Sequence, residues 1–328
     1  MKGLFCFIIL VSLCLYPSHF SYAKENATWI KSTYFRGYDT ATKKKLLAKD
    51  VEDLAVRLRT NHIRYAYIFA GPYGSDGHLP QYAFSQKARE SVAILKRIYP
   101  ELKIFPWVGG VQNKTVHLER ADWVRNAIAD TRRLIKTMPV DGIHLDFEYV
   151  IFPDAKFNHK KINTSDYGRY WVKFHADLKL ALPGLFISSV VVSTALGTKP
   201  WKHKHSLSEI KELSATVGQI SFMFYETGLP EVKAYRDSLK EQMQQIQELK
   251  SSHHNQSQYL VAVGVFNEEK KLRSYRDLGF KNIPSTLKLL QEVEQEVNPG
   301  KSVIDGLAIF CEWMTTNVEW SQLRDYLK

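Results

Sequence analysis

The feature that most constrains this chain is a regular alternation. Short runs rich in β-branched, aliphatic and aromatic residues are each followed by a longer stretch whose apolar residues recur at spacings of three and four. The β-rich runs are Thr28 to Phe35, Ile63 to Phe69, Ile104 to Val108, Gly142 to Tyr149, Leu185 to Ser193, Gln219 to Tyr225, Tyr259 to Phe266 and Gly306 to Trp313. Amphipathic stretches between them include Leu46 to Leu58, Ala88 to Ile98, Trp123 to Ile135, Trp171 to Leu182, Val232 to Leu249 and Leu287 to Val297. Stop signals sit where the helical pattern fades, at Pro183-Gly184 and Asn298-Pro299-Gly300, and Ser165-Asp166 offers a cap before Trp171. Strand and helix in strict alternation build a parallel sheet, and eight such units suit closure, so the expected fold is α/β, a single (β/α)8 TIM barrel. No linker rich in Pro, Gly or Ser and no repeat interrupts the series, which predicts one domain over residues 24–328.

The first 23 residues read differently. Lys2, an apolar run from Leu4 to Tyr16, and the small residue closing Ser21-Tyr22-Ala23 resemble a secretory signal peptide cleaved near Ala23, so a secreted or periplasmic protein is expected. Val11-Ser12-Leu13 lacks the small residue wanted before a lipidated Cys14. Cleavage removes Cys6 and Cys14 and leaves Cys311 alone in an apolar context, so stability must come from a core and not from a disulfide. No later stretch reaches the roughly 18–20 apolar residues of a membrane helix, and no stable membrane insertion is expected. Net charge is +11, and +10 without Lys2, with the cations scattered along helical segments. That favours an anionic surface or polymer as partner over nucleic acid, whose binders show clustering or a motif that is absent here. Asn26-Ala-Thr, Asn113-Lys-Thr, Asn163-Thr-Ser and Asn255-Gln-Ser have the form of glycan acceptors. The sequence carries no signature of oligomeric state.

Chemistry concentrates in DGIHLDFE, residues 141–148. On a strand, side chains alternate, so Ile143, Leu145 and Phe147 face the helices while His144, Asp146 and Glu148 face the barrel interior. Two carboxylates two positions apart lie within about 7 Å, and their repulsion should raise at least one pKa, as a glycosidase general acid requires. Structural charges balanced by basic neighbours are the competing explanation. Catalytic groups of such barrels collect at the C-terminal strand ends. The polar, aromatic and glycine residues expected there are Trp107, Gly109 and Gly110 after the third strand, Tyr225 and Glu226 at the sixth, Asn267 at the seventh, and Glu312 and Trp313 at the eighth. Trp107, Tyr225 and Trp313 could stack on a sugar ring. Asp141, of opposite parity to the inner set, reads as structural.

DGIHLDFE resembles the DGxDxDxE segment of family 18 glycoside hydrolases, the chitinases and related endo-N-acetylglucosaminidases. Ile104 to Gly110 (IFPWVGG) is similar to the family's third-strand SxGG, Met223-Phe224-Tyr225-Glu226 to its sixth-strand MxYD, and Trp313 to its eighth-strand tryptophan. The resemblance implies a retaining hydrolase of β-linked N-acetylglucosamine, in chitin oligomers, peptidoglycan or related glycans, in which the substrate's acetamido group is the nucleophile. It implies Glu148 as general acid and base, Asp146 orienting the acetamido N–H, the Tyr225 hydroxyl holding the acetamido oxygen and Trp313 flooring the reacting sugar. His144, Trp107, Met223, Glu226 and Asn267 would complete the substrate-binding set, with Gly109 and Gly110 structural.

Three positions depart from the family pattern. His144 stands for the inner aspartate, Glu226 for the sixth-strand aspartate and Trp107 for the third-strand serine. A protonated His144 bonded to Asp146 would hold that carboxylate ionised; a satisfied interior histidine is the alternative. These departures keep open a silent, chitinase-like barrel that binds glycan or protein, and a hydrolase of sugars without the acetamido group. No GxSxG, HExxH, P-loop or GxGxxG occurs, His253-His254 reads as a solvated loop pair, His203 with His205 sits in a Lys-rich loop without a matching acid pair nearby, and no cofactor or metal is expected.

Overall fold

A computed structural model describes residues 24–150, 164–196, 201–225, 229, 231–252, 256–264 and 282–327. Eight strands, β1 (Ala27–Ile30), β2 (Tyr65–Pro72), β3 (Lys103–Val111), β4 (Ile143–Glu148), β5 (Ile187–Val191), β6 (Gln219–Met223), β7 (Gln258–Gly264) and β8 (Gly306–Phe310), form a closed barrel in chain order. All neighbours are parallel, and β8 closes on β1 through Ala27↔Ala308 and Thr28↔Ile309. The helices are a short α1 (Thr33–Arg36), α2 (Ala48–Thr60), α3 (Gln86–Ile98), α4 (Ala121–Thr137), α5 (Thr164–Ala181), α6 (Leu207–Ser214), α7 (Val232–Ser251), α8 (Ile283–Val297) and α9 (Asn317–Leu327). The chain is the single (β/α)8 barrel that the alternation predicts.

Two strands, β1 and β8, end well short of their apolar runs. β1 stops at Ile30, its last residue paired with β2, and the chain leaves the sheet into α1, closed by Gly37 at φ 77°. β8 stops at Phe310, and Glu312–Met314 form a 3-10 turn, so Trp313 lies off the strand. The Phe310–Cys311 peptide bond is cis. Hydrophobic runs mark where residues are buried, whereas a strand ends where backbone pairing ends, and at the rim the two part company.

Side chains of alternating strands fill the barrel in layers. Near its N-terminal end Tyr65, Phe105 and Phe186 pack together, with ring centroids 5.2 to 6.3 Å apart. Above them Trp29, Tyr67 and His144 form the next cluster. Helix-facing residues such as Ile143, Leu145 and Ile187 are buried against the surrounding ring. Cys311 is buried, and among the described residues no helix is long and apolar enough to cross a membrane.

Two of the four glycan-acceptor sequences are closed by the fold. The Asn26 amide is buried and donates to Leu327 O at 2.9 Å, while its oxygen accepts from Leu307 N at 3.1 Å. Asn113 is buried at φ 67° and donates to the Tyr149 hydroxyl at 3.5 Å. Neither side chain can carry a glycan in the folded protein. Asn163 and Asn255 lie outside the described residues, as do the first 23.

Candidate active site

The site is built on β4, whose neighbours set its register. On one side Trp107 pairs with His144, Gly109 with Asp146 and Val111 with Glu148; on the other His144 pairs with Ser188. Strand alternation then sorts the side chains. Phe147 turns outward into a cluster with Tyr73, Trp123, Phe174 and His175, and His144 turns inward between Trp29 and Tyr67. Asp146 and Glu148 follow on the inward parity toward the C-terminal end, half-buried.

Asp146 is held from β3. The Trp107 indole Nε1 donates to its Oδ2 at 2.9 Å, while the buried Oδ1 has no hydrogen-bond partner among the described residues. Burial pushes this carboxyl up to about 6, against the Trp107 hydrogen bond, which lowers it. Gly109 lets β3 come this close to β4, and Gly110 makes room for the loop that follows β3. A β-carbon on Gly109 would lie 1.9 Å from the Asp146 carbonyl oxygen, and one on Gly110 would lie 2.4 Å from Thr115 Oγ1. Both glycines also have positive φ, 153° and 134°.

His144 does not hydrogen-bond Asp146. Its Nδ1 contacts Ser188 Oγ at 2.8 Å and its ring stacks flat on Tyr67, centroids 3.7 Å apart. Burial drives its pKa well below the ordinary histidine value, so the ring is neutral and the protonated histidine holding Asp146 ionised is absent. Tyr167, from α5, reaches the back of the strand: its hydroxyl donates to Phe147 O at 3.1 Å, and burial together with the charges of Glu148 and Asp146 pushes its pKa far up.

Aromatic residues line the mouth beside the acids. Phe69 packs edge-on to Trp107 at 4.6 Å, Trp107 to Phe310 at 6.4 Å, and Phe310 to Trp313 at 5.8 Å. Tyr225, just past β6, is buried and stacks on Phe310 at 4.9 Å with ring planes 10° apart. Trp29 makes edge contacts with both Phe310 and Tyr225 from below. The structure therefore brings together Trp107, His144, Asp146, Tyr225 and Phe310, with Trp313 joined through Phe310. Met223 is buried within β6. Glu226 and Asn267 lie outside the described residues. Asp141 stands at the opposite end of β4, where its Oδ2 accepts from Ile104 N at 2.8 Å and pairs with Lys96 at 2.6 Å.

Sequence reading passed over Trp29, Tyr67, Phe69, Ser188, Gln219 and Phe310. Parity alone would have found Phe69 and Phe310, because each stands on the inward face of its strand toward the C-terminal end. Ser188 and Gln219 become visible only when β5 and β6 are set beside β4. Glu312 is also buried and pairs with Arg57 of α2. Beside β5, Glu209 does approach His203 at 3.4 Å, an acid that its sequence neighbourhood had not suggested, yet no group of three or more metal-binding side chains occurs among the described residues. His253-His254 lies outside them.

No protein-family model and no curated protein sequence matches the chain. Solved structures do match its fold. The class V chitinase of Pseudomonas fluorescens Pf-5 aligns with a TM-score of 0.61 at 12% identity, covering 93% of this chain and 100% of that one. The Ostrinia furnacalis Group IV chitinase gives 0.61 at 11% identity, covering 93% and 99%. The spore cortex-lytic enzyme SleL of Bacillus megaterium QM B1551 gives 0.59 at 13% identity, covering 93% and 74%. At this identity the likeness is one of fold: the chain has a chitinase-like (β/α)8 barrel.

Proposed function

We propose that the protein is a secreted or periplasmic glycoside hydrolase that cleaves β-linked N-acetylglucosamine in chitin oligomers, peptidoglycan or a related glycan, with retention of configuration. The observation that carries the reading is Asp146. It is a half-buried residue with one carboxyl oxygen fixed by Trp107 and the other buried and unpartnered among the described residues, two positions before Glu148 and beside aromatic faces at the C-terminal mouth of the barrel. An unpartnered buried acceptor costs stability, so its retention suits a group that meets a donor only when substrate is bound. The chitinase and cortex-lytic neighbours, one of them in complex with allosamidin, support the same substrate class.

Glu148 gives its proton to the glycosidic oxygen as the bond to the anomeric carbon breaks, and the substrate's acetamido oxygen closes on that carbon. Asp146 Oδ1 accepts the acetamido N–H and stabilises the oxazolinium charge, and the Tyr225 hydroxyl steers the acetamido oxygen. Glu148, now a carboxylate, takes a proton from the water that opens the ring.

Turnover of fluorogenic N-acetylglucosamine oligomers and purified peptidoglycan by the protein and by Glu148→Gln tests this. Hydrolysis that falls at least about 100-fold in the variant is expected for loss of a general acid. Equal turnover by both would sink the assignment. A second reading, a barrel that binds glycan without cleaving it, is favoured by the neutral His144 where the family has a carboxylate. Binding of oligomer or allosamidin by both proteins with no hydrolysis by either would establish it.

A further inference from the structure

Proton positions inside the barrel follow from counting donors. Gln219 Oε1 accepts from the Tyr67 hydroxyl and from Ser188 Oγ at 2.8 Å, and Gln219 Nε2 donates to Gln258 Oε1 at 3.0 Å, which fixes the amide's orientation. The single Ser188 hydroxyl proton goes to Gln219. At its 2.8 Å contact with His144, Ser188 therefore accepts, and the histidine proton is on Nδ1. Burial holds His144 neutral, so Nε2 carries a lone pair, and that nitrogen has no partner among the described residues. With Tyr67 stacked on one face and Trp29 edge-on, the ring is pinned. His144 thus has neither a charge nor an N–H to give Asp146, and the Trp107 indole has the N–H.

On this geometry, and resting on the reading of Asp146 as a substrate-binding group, we propose that Trp107 is the positioning residue of Asp146 and that His144 is a neutral spacer. The indole N–H clamps Oδ2 and leaves Oδ1 as the oxygen that meets the substrate N–H. The paired carboxylates that DGxDxDxE implies are replaced by a carboxyl and an indole from the adjacent strand, register partners of Gly109 and His144. Phe69 backs the indole at 4.6 Å and keeps its edge directed at β4. The groups that face Asp146 are Trp107 from β3, His144 and Glu148 on its own strand, and Tyr167 from α5, whose hydroxyl is committed to Phe147 O. None of these described groups supplies a positive charge, so burial raises the Asp146 pKa and the indole hydrogen bond is what opposes it.

Carboxyl-carbon and indole N–H magnetic resonance on the whole protein tests this independently of turnover. One of the seven tryptophan indole N–H signals should move with the Asp146 titration, midpoint near pH 6, and should stand still in Asp146→Asn. In Trp107→Phe the Asp146 midpoint should rise by about one pH unit, the size of a lost charge-assisted hydrogen bond, while His144→Gln leaves it in place. If the protein hydrolyses glycans, the acid limb of kcat/KM should move with the same variant. An Asp146 midpoint that shifts in His144→Gln as it does in Trp107→Phe, or an absence of any indole signal following the carboxyl, would overturn the proposal. Should Trp107→Phe not fold, the wild-type and Asp146→Asn spectra alone decide it. These spectra behaving as expected in a protein without hydrolysis would leave the proposal standing and remove the hydrolase reading.

Discussion

At Gly109 an added methyl group would lie 1.9 Å from the Asp146 carbonyl oxygen, on a backbone at φ 153°. Neither backbone can give way without breaking the β3–β4 ladder at the site itself. Gly109→Ala should therefore cost more than about 3 kcal/mol in urea unfolding, beyond the usual range of a surface change. A fully folded variant of unchanged midpoint would contradict the strand spacing. Ser188→Ala removes the acceptor of the buried His144 Nδ1–H and one donor to Gln219. It should cost about 1–3 kcal/mol by the same measurement, because the imidazole N–H is left buried and unpaired. Both residues were legible to different degrees: the glycines by their place after the third strand, Ser188 not at all, since a lone serine in an apolar strand announces nothing about its partner.

Between elements, the loop after β8 is tied to α2 by Arg57 and Glu312, 255 residues apart in sequence. The Glu312 side chain is 4% exposed and that of Arg57 36%, so the buried carboxylate bears the risk. Burial raises its pKa and the Arg57 charge opposes the rise. Arg57→Met should strand Glu312 and destabilise by about 2–3 kcal/mol, less than for a pair fully out of water, and the double variant Arg57→Met/Glu312→Leu should recover much of that. Double-mutant denaturation measures the coupling; two costs that simply add would show that the pair does not tie the loop. Because this loop follows Phe310 and contains Trp313, a loosened pair should also weaken the glycan binding proposed for this mouth. The sequence showed the loop's apolar character but placed Trp313 on a strand, since only the pairing of β7 and β8 reveals that the ladder ends at Phe310.

The whole molecule should lose stability as pH falls. Burial lowers the pKa of His144 well below its ordinary value, of His175 to about 4 and of His205 to about 3. Groups depressed in the fold stabilise it above their unfolded pKa, near 6.5, and that stability drains away as pH drops through the folded values. Asp146 and Glu312 are raised and act with the opposite sign, favouring the fold on the acid side. The three histidines are joined by Glu209, which is held down to about 2 despite its burial by its hydrogen bonds to His203 and Ser206, so the unfolded chain takes up protons as pH falls from about 6 and stability declines. The expected outcome is an unfolding midpoint that falls steadily as pH drops from about 6 to 4.5. A flat profile would mean that the histidines are charged in the fold. His175→Gln should flatten it, because the His175 ring is bonded to Trp171 O at 2.8 Å and Ser189 Oγ at 3.0 Å, away from the mouth.

The sequence by itself determined the barrel, because eight alternations of a period-two and a helical pattern leave a parallel closed sheet as the economical way to bury all of them. It also determined which face of β4 Asp146 and Glu148 occupy, since parity along a strand is a local property. Only the tertiary structure decided what those acids touch. Trp107 reaches Asp146 across 39 residues and His144 reaches Ser188 across 44, and these contacts depend on strand register, which no single segment encodes. Sequence left His144 able to be either a charged partner of Asp146 or a quiet interior ring. Burial against Tyr67 and the hydroxyl of Ser188 settled it as neutral, and passed the holding of Asp146 to an indole on the next strand.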